Sequence, residues 1–413
     1  MPDLKQSPPD EAKTRPQHFD AIVVGAGLSG SLLSLGLLHH FPRLRILVLE
    51  KAPQLGIQHT WSFHDSDIPE SLRSWIRNLI SKSWSTHEVF FPALHRVLAS
   101  PYHSIRQEDL SLRLSQSGAQ VQTSCSVMAL GSDFALDDRG QIYRAPLVVD
   151  ARGWSEFPGP CGYQKFVGLD VELQEPHGMQ HVRLMDARIP QIDGYRFMYV
   201  LPWSEKHLLI EDTYYSNHAL LKIERIEQEI LRYAEGQGWR IASIQRREVG
   251  CLPLPLFSTS YPSPAPSPQS LGARGQRINA VTGYTTPLRL RFLDLFFKTS
   301  SPSQENFERT QARFQKEEQQ QENFYLMLNR MMFQAAANDE RYRILQKFYR
   351  LPEGVVQRFY SGRLSWLDKA RILSGRPPVS VAKALRAIIA PPASVLGSQS
   401  LPRPGDSPRA PFS

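Results

Sequence analysis

The stretch FDAIVVGAGLSGSLLSLGLLHHFPRLRILVLEKA constrains the fold more than any other part of the chain. A β-rich run at residues 19–24 meets a glycine cluster. An apolar segment of helical length follows at Leu28–His40, and a second β-rich run at 44–49 ends in Glu50. Strand, glycine turn, helix and strand within about 30 residues form the βαβ unit of a dinucleotide-binding fold. We therefore predict an α/β protein with a Rossmann-like domain at this end.

The glycine cluster has the spacing GxGxxG, formed by Gly25, Gly27 and Gly30, with Glu50 placed 20 residues further on. In this pattern the first glycine permits a tight turn, the second lets the backbone approach a pyrophosphate, and the third lets the helix pack on the strand. The helix N-terminus supplies N–H groups and a positive dipole end to the phosphates. We predict that Glu50 accepts hydrogen bonds from the adenosine ribose.

A second segment bears on which dinucleotide binds. APLVVDARGW, at residues 145–154, is an apolar strand that ends in Asp150, Arg152 and Gly153. A fingerprint near the N-terminus, followed by a long chain that returns to the same domain, favours FAD over NAD. We predict that Asp150 lies at the ligand-facing end of this returning strand, with an ordinary strand-end turn as the alternative.

Composition and pattern changes divide the chain further. The middle region has strand-like alternation, including a hairpin pattern in YRFMYVLPWSEKHLLIEDTYYS, and the later region is amphipathic and helical. The predicted organisation is a Rossmann-like FAD-binding domain of the glutathione-reductase/flavin-hydroxylase type, an inserted sheet-rich substrate domain and a C-terminal helical region. The predicted boundaries are 1–17 disordered, 18–156 and 250–303 FAD-binding, 157–249 sheet-rich, 304–390 helical, and 391–413 a disordered tail.

The net charge of +8 and a pI near 9.4 indicate an anionic partner. Without a dense Lys/Arg run or an aromatic-plus-basic motif, phospholipid head groups are favoured and nucleic acid is not expected. Three scattered cysteines suggest neither a disulfide framework nor a metal site, and they fit a reducing, cytoplasmic compartment. We expect no metal, no signal peptide and no membrane-spanning segment.

The stretch HLLIEDTYYS carries two adjacent acids at the end of an apolar run. If it is a strand, alternation sends Glu211 and Asp212 to opposite faces, with Tyr215 on the face of Glu211. One carboxyl group can therefore face an interior among aromatic side chains while its neighbour does not.

With these segments in hand, the chain resembles the bacterial, FAD-fold lycopene β-cyclases from about residue 19 to 385. The pieces that carry the resemblance, in order, are GAGLSG, IQHTWSFHDSD, VVDARGW, QKFVGLDVEL, RLMDAR, RFMYVLPWSEKHLLIEDTYYS, REVGCLPL, TGYTTPL, LNRMMFQAA and RFYSGRLSWLDKARILSGRPPV. The chain departs from the family just before Gly283, where Asn279, Ala280 and Val281 replace the usual His-Pro-Thr.

The resemblance implies an activity and its requirements. Each ψ end of lycopene would close into a β-ionone ring, giving γ-carotene and then β-carotene without net redox change. FAD would act in the reduced state, kept so by NAD(P)H. Because lycopene and related acyclic carotenoids dissolve in the bilayer, the enzyme would be cytoplasmic and peripheral on the inner face of the cell membrane. Gly283 would lie beside the flavin.

Cyclisation by protonation needs a carboxylic acid that is kept protonated and shielded from water, since an alkene is a very weak base. We predict Glu211 as the general acid, with Asp212 the second candidate or a local hydrogen-bonding group. The predicted lining of the substrate cavity is Trp61, Phe63, Phe197, Trp203 and Tyr215, because aromatic faces and nearby negative charge stabilise cations. His59 and His64, which flank Trp61, are either catalytic or structural.

Two segments mix basic and large apolar residues, at 288–298 and 382–390, and either suits an interfacial amphipathic helix or a core helix. Two other functions remain open for such a chain. One is a flavin monooxygenase or prenyl reductase of the same fold, and the other is a carotenoid- or lipid-binding flavoprotein without catalysis.

Overall fold

The computed structural model of the chain describes residues 15–56, 58–153, 159–258, 269–272, 275, 278–375 and 381–389. Most of the predicted disordered lead, residues 1–14, and the whole predicted tail, 391–413, lie outside these ranges. Within them the chain forms four sheets and a C-terminal helical region, so the predicted α/β class is confirmed.

The strands on either side of the predicted glycine turn belong to a parallel sheet of four strands, which is covered on both faces. Its strands are β2 (Ala21–Val24), β3 (Ile46–Leu49), β9 (Gln120–Gln122) and β13 (Val148–Asp150), in the order β13-β2-β3-β9. Continuous apolar sequences build such strands because a parallel sheet is buried on both sides. One face packs on helix α1 (Leu28–His40), so the strand, turn, helix and strand predicted from the sequence are confirmed.

The other face of this sheet is covered by a second four-stranded sheet. Its strands are β1 (Gln17–His18), β10 (Val127–Leu130), β11 (Phe134–Asp137) and β12 (Ile142–Arg144). Ile22 and Leu47 point towards this layer, whereas Val23 and Val48 point towards α1. Alternation thus distributes one apolar strand between two cores.

A seven-stranded sheet is the largest sheet in the described part of the chain. Its strands are β6 (His87–Phe91), β7 (Leu94–Leu98), β14 (Cys161–Leu173), β15 (Val182–Asp186), β16 (Tyr195–Pro202), β17 (His207–Ser216) and β18 (Ile241–Pro255). The strand order is β18-β14-β17-β16-β15-β6-β7. Strands β16 and β17 pair antiparallel, which confirms the hairpin pattern. The sheet extends beyond the segment 157–249, because β6 pairs in parallel with β15.

Shorter elements connect these sheets. A three-stranded sheet contains β4 (Thr60–His64), β5 (Lys82–Trp84) and β8 (Tyr102–Arg106). In sequence, helix α2 (Arg73–Arg77) lies between β4 and β5, and helix α3 (Gln107–Ser115) follows β8. Helix α4 (Ile223–Gly236) covers one face of the seven-stranded sheet.

The C-terminal region is helical, as the sequence predicts. Its helices are α5 (Thr286–Phe297), α6 (Gln304–Arg330), α7 (Tyr342–Phe348), α8 (Glu353–Tyr360), α9 (Trp366–Leu373) and α10 (Val381–Ile389). The segment 288–298 is mostly α5, whose large apolar side chains are buried in the core around α1, so it is a core helix and not an interfacial one. In the described part of the chain, no helix is long and apolar enough to cross a membrane.

Candidate active site

A single cavity of about 1050 Å³ joins the glycine turn to one face of the seven-stranded sheet. Of the predicted site residues, it is lined by Gly25, Gly27, Glu50, Trp61, Phe197, Glu211, Tyr215 and Gly283. Gly30, Phe63, Asp150, Trp203 and Asp212 do not line it. The predicted nucleotide-binding turn and the predicted acid therefore face one continuous space.

The glycine turn is shaped by three different requirements. Gly25 has φ +101°, and a Cβ added there would lie 3.0 Å from the Ala151 carbonyl oxygen. A Cβ at Gly30 would lie 1.9 Å from the Gly25 carbonyl oxygen, so only glycine allows the helix this close to the turn. At Gly27, by contrast, an added Cβ meets nothing within 4 Å, and the backbone there faces the open cavity.

Glu50 holds the turn in place from the end of the neighbouring strand. One carboxylate oxygen accepts a hydrogen bond from the Ala26 N–H at 2.8 Å, and the other accepts one from the Ala52 N–H at 3.0 Å. The side chain is only partly buried and lines the cavity. It lies where the dinucleotide fingerprint places the acid that binds a ribose.

The returning strand and the Gly283 turn close this end of the cavity. The Asp150 carboxylate does not face the cavity: it forms a two-point ion pair with Arg152 at 2.7 and 2.8 Å, and residues 151–153 line the cavity instead. Gly283 has φ +66° and does line it. The preceding turn, where the chain departs from related sequences, is closed by the Asn279 side chain, which accepts the N–H groups of Val281 and Thr282.

These features fit a bound FAD. The open backbone at Gly27 can approach a pyrophosphate, α1 begins there without a side-chain cap, and Glu50 can receive ribose hydroxyls. Residues 151–153 and the turn at Gly283 line the same cavity, so they are available for further contacts with the cofactor.

Glu211 lies on the cavity-facing side of β17. Its Oε1 accepts a hydrogen bond of 2.5 Å from the Thr213 hydroxyl. Burial, and then the negative charge of Glu248, raise the pKa of Glu211 to about 8, although the Thr213 hydrogen bond and the Arg246 charge oppose the rise. A carboxyl group with this pKa is mostly protonated near neutral pH, which is the state that an acid for a weakly basic substrate requires.

Asp212 lies on the opposite face of the same strand. Its carboxylate binds the Arg196 guanidinium in a two-point ion pair at 2.7 and 2.9 Å, and it accepts a hydrogen bond from the Tyr214 hydroxyl at 2.9 Å. The surrounding core packs on α4. The sequence left Asp212 either catalytic or locally hydrogen-bonded, and the contacts are those of a structural ion pair.

The predicted aromatic lining divides in the same way. Trp61, Phe197 and Tyr215 line the cavity. Phe63 is fully buried in the core around α1, because the cavity extends along only the first part of β4. Trp203, at the hairpin turn, is buried against Trp84 and donates its indole N–H to Asp170 at 2.9 Å.

The two candidate histidines also differ. His59 lines the cavity, is 49% exposed, and has its Nδ1 atom 3.3 Å from a carboxylate oxygen of Glu248. His64 is 1% exposed and packs against Tyr102 and Tyr360, and burial lowers its pKa well below the ordinary value. The contacts of His64 are those of a core residue.

Several lining residues were missed from the sequence. They are Tyr102, Phe166, Tyr199, Glu248, Tyr284 and Tyr360. The tyrosine hydroxyls join across the cavity wall: Tyr102 is 2.5 Å from Tyr284 and 3.3 Å from Tyr199. Tyr199 was accessible to the alternation argument, since it lies two residues after Phe197 on β16.

The chain has the fold of the FAD-dependent oxidoreductases and hydroxylases. A geranylgeranyl bacteriochlorophyll reductase-like protein from Thermoplasma acidophilum has a TM-score of 0.55 at 14% identity, over 92% of this chain and 98% of its own. A probable FAD-dependent monooxygenase from Pseudomonas aeruginosa, pqsL, has a TM-score of 0.53 at 14% identity, over 81% and 100%. The predicted fold type is confirmed.

The chain belongs to the lycopene cyclase protein family, whose model matches residues 20–386. A lycopene beta-cyclase of Pantoea ananas is 39% identical over 90% of this chain and 98% of that protein. A second, of Pseudescherichia vulneris, is 37% identical over 90% and 97%. The resemblance noted in the sequence is confirmed.

Proposed function

We propose that this chain is a lycopene β-cyclase that closes the ψ ends of lycopene into β-ionone rings, giving γ-carotene and then β-carotene. The observation that carries the proposal is the position of the Glu211 carboxyl group on the wall of a partly aromatic cavity, where burial raises its pKa. Membership of the lycopene cyclase family supports the substrate class.

In the proposed mechanism Glu211 donates its proton to the terminal alkene and becomes a carboxylate. Ring closure moves the positive charge to a ring carbon. The neighbouring carbon then gives a proton back to the Glu211 carboxylate, which forms the ring double bond and restores the acid. No proton is consumed overall, because one is gained and one is lost. The rings of Trp61, Phe197 and Tyr215 exclude water and present electron-rich faces to the cation.

A flavin bound in the same cavity would have a role even though the reaction involves no net redox change. We propose that Gly25, Gly27, Glu50 and Gly283 hold FAD in its reduced state, with NAD(P)H as the reductant. Reduced flavin bound there would supply negative charge that stabilises a cationic intermediate. The residues that line the cavity would hold the cofactor and exclude solvent.

Expression in a lycopene-accumulating host tests the function. We expect lycopene to be replaced by β-carotene, with γ-carotene appearing transiently. Unchanged lycopene in the presence of soluble, flavin-loaded protein would rule out the cyclase. A monooxygenase or prenyl reductase would consume NAD(P)H in proportion to product, whereas a cyclase would not. Retained function in Glu211→Gln would instead favour a non-catalytic binding protein.

We further propose that the chain works as a peripheral protein on the cytoplasmic face of the cell membrane. The two last helices expose large apolar side chains: Trp366 is 75% exposed, Leu367 59% and Ile389 76%. Arg371 and Arg386 are exposed on the same helices. Apolar side chains bordered by positive charge suit an anionic lipid surface.

Sedimentation with phosphatidylglycerol-containing vesicles tests this proposal. We expect the wild-type chain to bind and Trp366→Ser to bind several-fold more weakly. Leu112→Ser is the matched control, because Leu112 is an exposed apolar residue on α3. Equal vesicle binding by the Trp366 variant and the wild type would contradict the assignment to α9.

A further inference from the structure

Glu211 is not the only carboxyl group on its wall of the cavity. Strands β17 and β18 both pair with β14, and in both pairings the residue opposite is Gly168: Glu211 on one side and Glu248 on the other. Residues in register on neighbouring strands share a face of the sheet. Both glutamates accordingly line the cavity.

Gly168 leaves the space between the two acids free of any side chain of its own. A Cβ added there would lie 3.2 Å from the Leu209 side chain and 3.6 Å from the Cβ of Glu211. An added methyl group would crowd the Leu209 side chain and lie in van der Waals contact with the Glu211 side chain. The glycine thus allows the two carboxyl groups to approach across the middle strand.

The carboxyl group of Glu248 has more polar partners than that of Glu211. It is 4% exposed, and its Oε1 accepts the Thr60 N–H at 3.1 Å and lies 3.3 Å from the His59 Nδ1 atom. Arg246 lies 3.7 Å from its other oxygen. Hydrogen bonds to the charged form, and a nearby cation, stabilise a carboxylate.

We propose that Glu248 is a positioning residue that acts through Glu211: as a carboxylate across Gly168, it keeps Glu211 protonated. Two carboxyl groups that share a low-dielectric site do not ionise together readily, so the one with more hydrogen-bond donors and a nearby cation takes the charge. This inference rests on the proposed function only in its meaning for catalysis. The coupling between the two groups exists whatever the substrate is.

The other groups around Glu211 do not replace this effect. Burial is the largest cause of the raised pKa of Glu211, and the charge of Glu248 is the next. Asp212 adds a smaller rise, since it lies on the opposite face with Arg196, and Arg246 lowers the pKa. The remaining groups are two hydroxyls, those of Thr213 on the same strand and Tyr199 on β16, and the His59 ring beyond Glu248.

The test is a direct titration of Glu211 in the purified flavoprotein. Infrared difference spectra against Glu211→Gln isolate its carboxyl band, and no substrate is needed. In Glu248→Gln we expect the pKa of Glu211 to fall by about one unit or more. In Glu248→Asp, which keeps the charge, we expect most of the rise to remain. Glu248→Ala also removes the charge and should lower the pKa if the amide variant does not fold.

Glu227→Gln is the matched control, because Glu227 is paired with Arg247 on the other face of the sheet. It removes one negative charge nearby and should leave the titration unchanged. An unshifted Glu211 in the charge-removing Glu248 variants would overturn the proposal, and so would an equal shift in the control. If the pKa of Glu211 shifts as expected but the protein leaves lycopene unchanged, the cyclase function is wrong and this inference still holds.

Discussion

Glu211 and Asp212 are neighbours on one strand, and the protein treats them in opposite ways. Asp212 is fully buried, but a two-point ion pair with Arg196 compensates its charge. Glu211 faces the cavity, where a single hydroxyl group is its hydrogen-bond donor and a second carboxylate lies nearby. Burial alone therefore does not decide whether a carboxyl group keeps its proton. What matters is whether a cation accompanies the carboxylate into the interior.

The largest expected effect comes from the cavity side. Glu211→Gln keeps the shape of the side chain but removes the proton donor, so cyclisation should fall by about 10²–10⁴-fold. Pigment analysis with the purified variant and lycopene in lipid measures the rate. Flavin content and thermal unfolding should match the wild type, and a variant that still cyclises at the original rate would remove Glu211 from the mechanism.

On the other face the expected loss is one of stability. Asp212→Asn removes the two-point ion pair of the buried Arg196 guanidinium and leaves it the Glu229 carboxylate at 3.2 Å, so the free energy of unfolding should drop by about 3 kcal/mol, the lower end of the range for a broken buried pair. Chemical denaturation followed by fluorescence measures it. Replacing both residues, as Asp212→Leu with Arg196→Met, should cost less than the single change. The protein that remains folded should cyclise lycopene, and a selective loss of turnover would contradict the division between the faces.

The pH dependence of activity sharpens the contrast further. The pKa of Glu211 is raised from an ordinary 4.5 to about 8, so its acid form persists through neutral pH and is lost as the pH rises through that value. Activity should thus be level below about pH 8 and fall about tenfold per unit above it. Rates measured from pH 4 to 10, with flavin retention as the control, test this. A fall centred near pH 5 would contradict it.

The smallest expected effect is the loss of one hydroxyl group. Tyr214→Phe removes the hydrogen bond to Asp212 and should lower the free energy of unfolding by about 1.5–3 kcal/mol without changing turnover. Tyr199→Phe is the counterpart on the cavity side, where the hydroxyl donates to Ser62 at 2.8 Å. We expect a few-fold lower turnover there. Equal effects of the two changes on turnover would erase the distinction between the faces.

Local sequence carried much of this architecture. The glycine spacing with Glu50 predicted the first βαβ unit. Alternation predicted that the side chains of Glu211 and Asp212 lie on opposite faces of β17. Both depend on a single segment, where period and spacing are decisive. The resemblance of the whole sequence to lycopene β-cyclases then supplied the substrate class, which no local pattern contains.

What the sequence did not yield depends on distant partners. Glu248 joins the site only because two strands pair with Gly168 in a particular register. Tyr102 and Tyr284 meet from segments 182 residues apart. Phe63 and Trp203 were chosen for their ring type, and their positions depend on where the cavity ends, which local alternation does not encode.

The antiparallel register of β16 and β17 has a consequence for changes in chain length. Inserting one uncharged residue into β17 ahead of Glu211 would turn the aspartate towards the cavity and the glutamate towards Arg196, without altering the net charge. Inserting two residues would restore the original parity. Odd and even insertions at this place are therefore different kinds of mutation: an odd one exchanges the environments of the two acids, and an even one returns each to its own side.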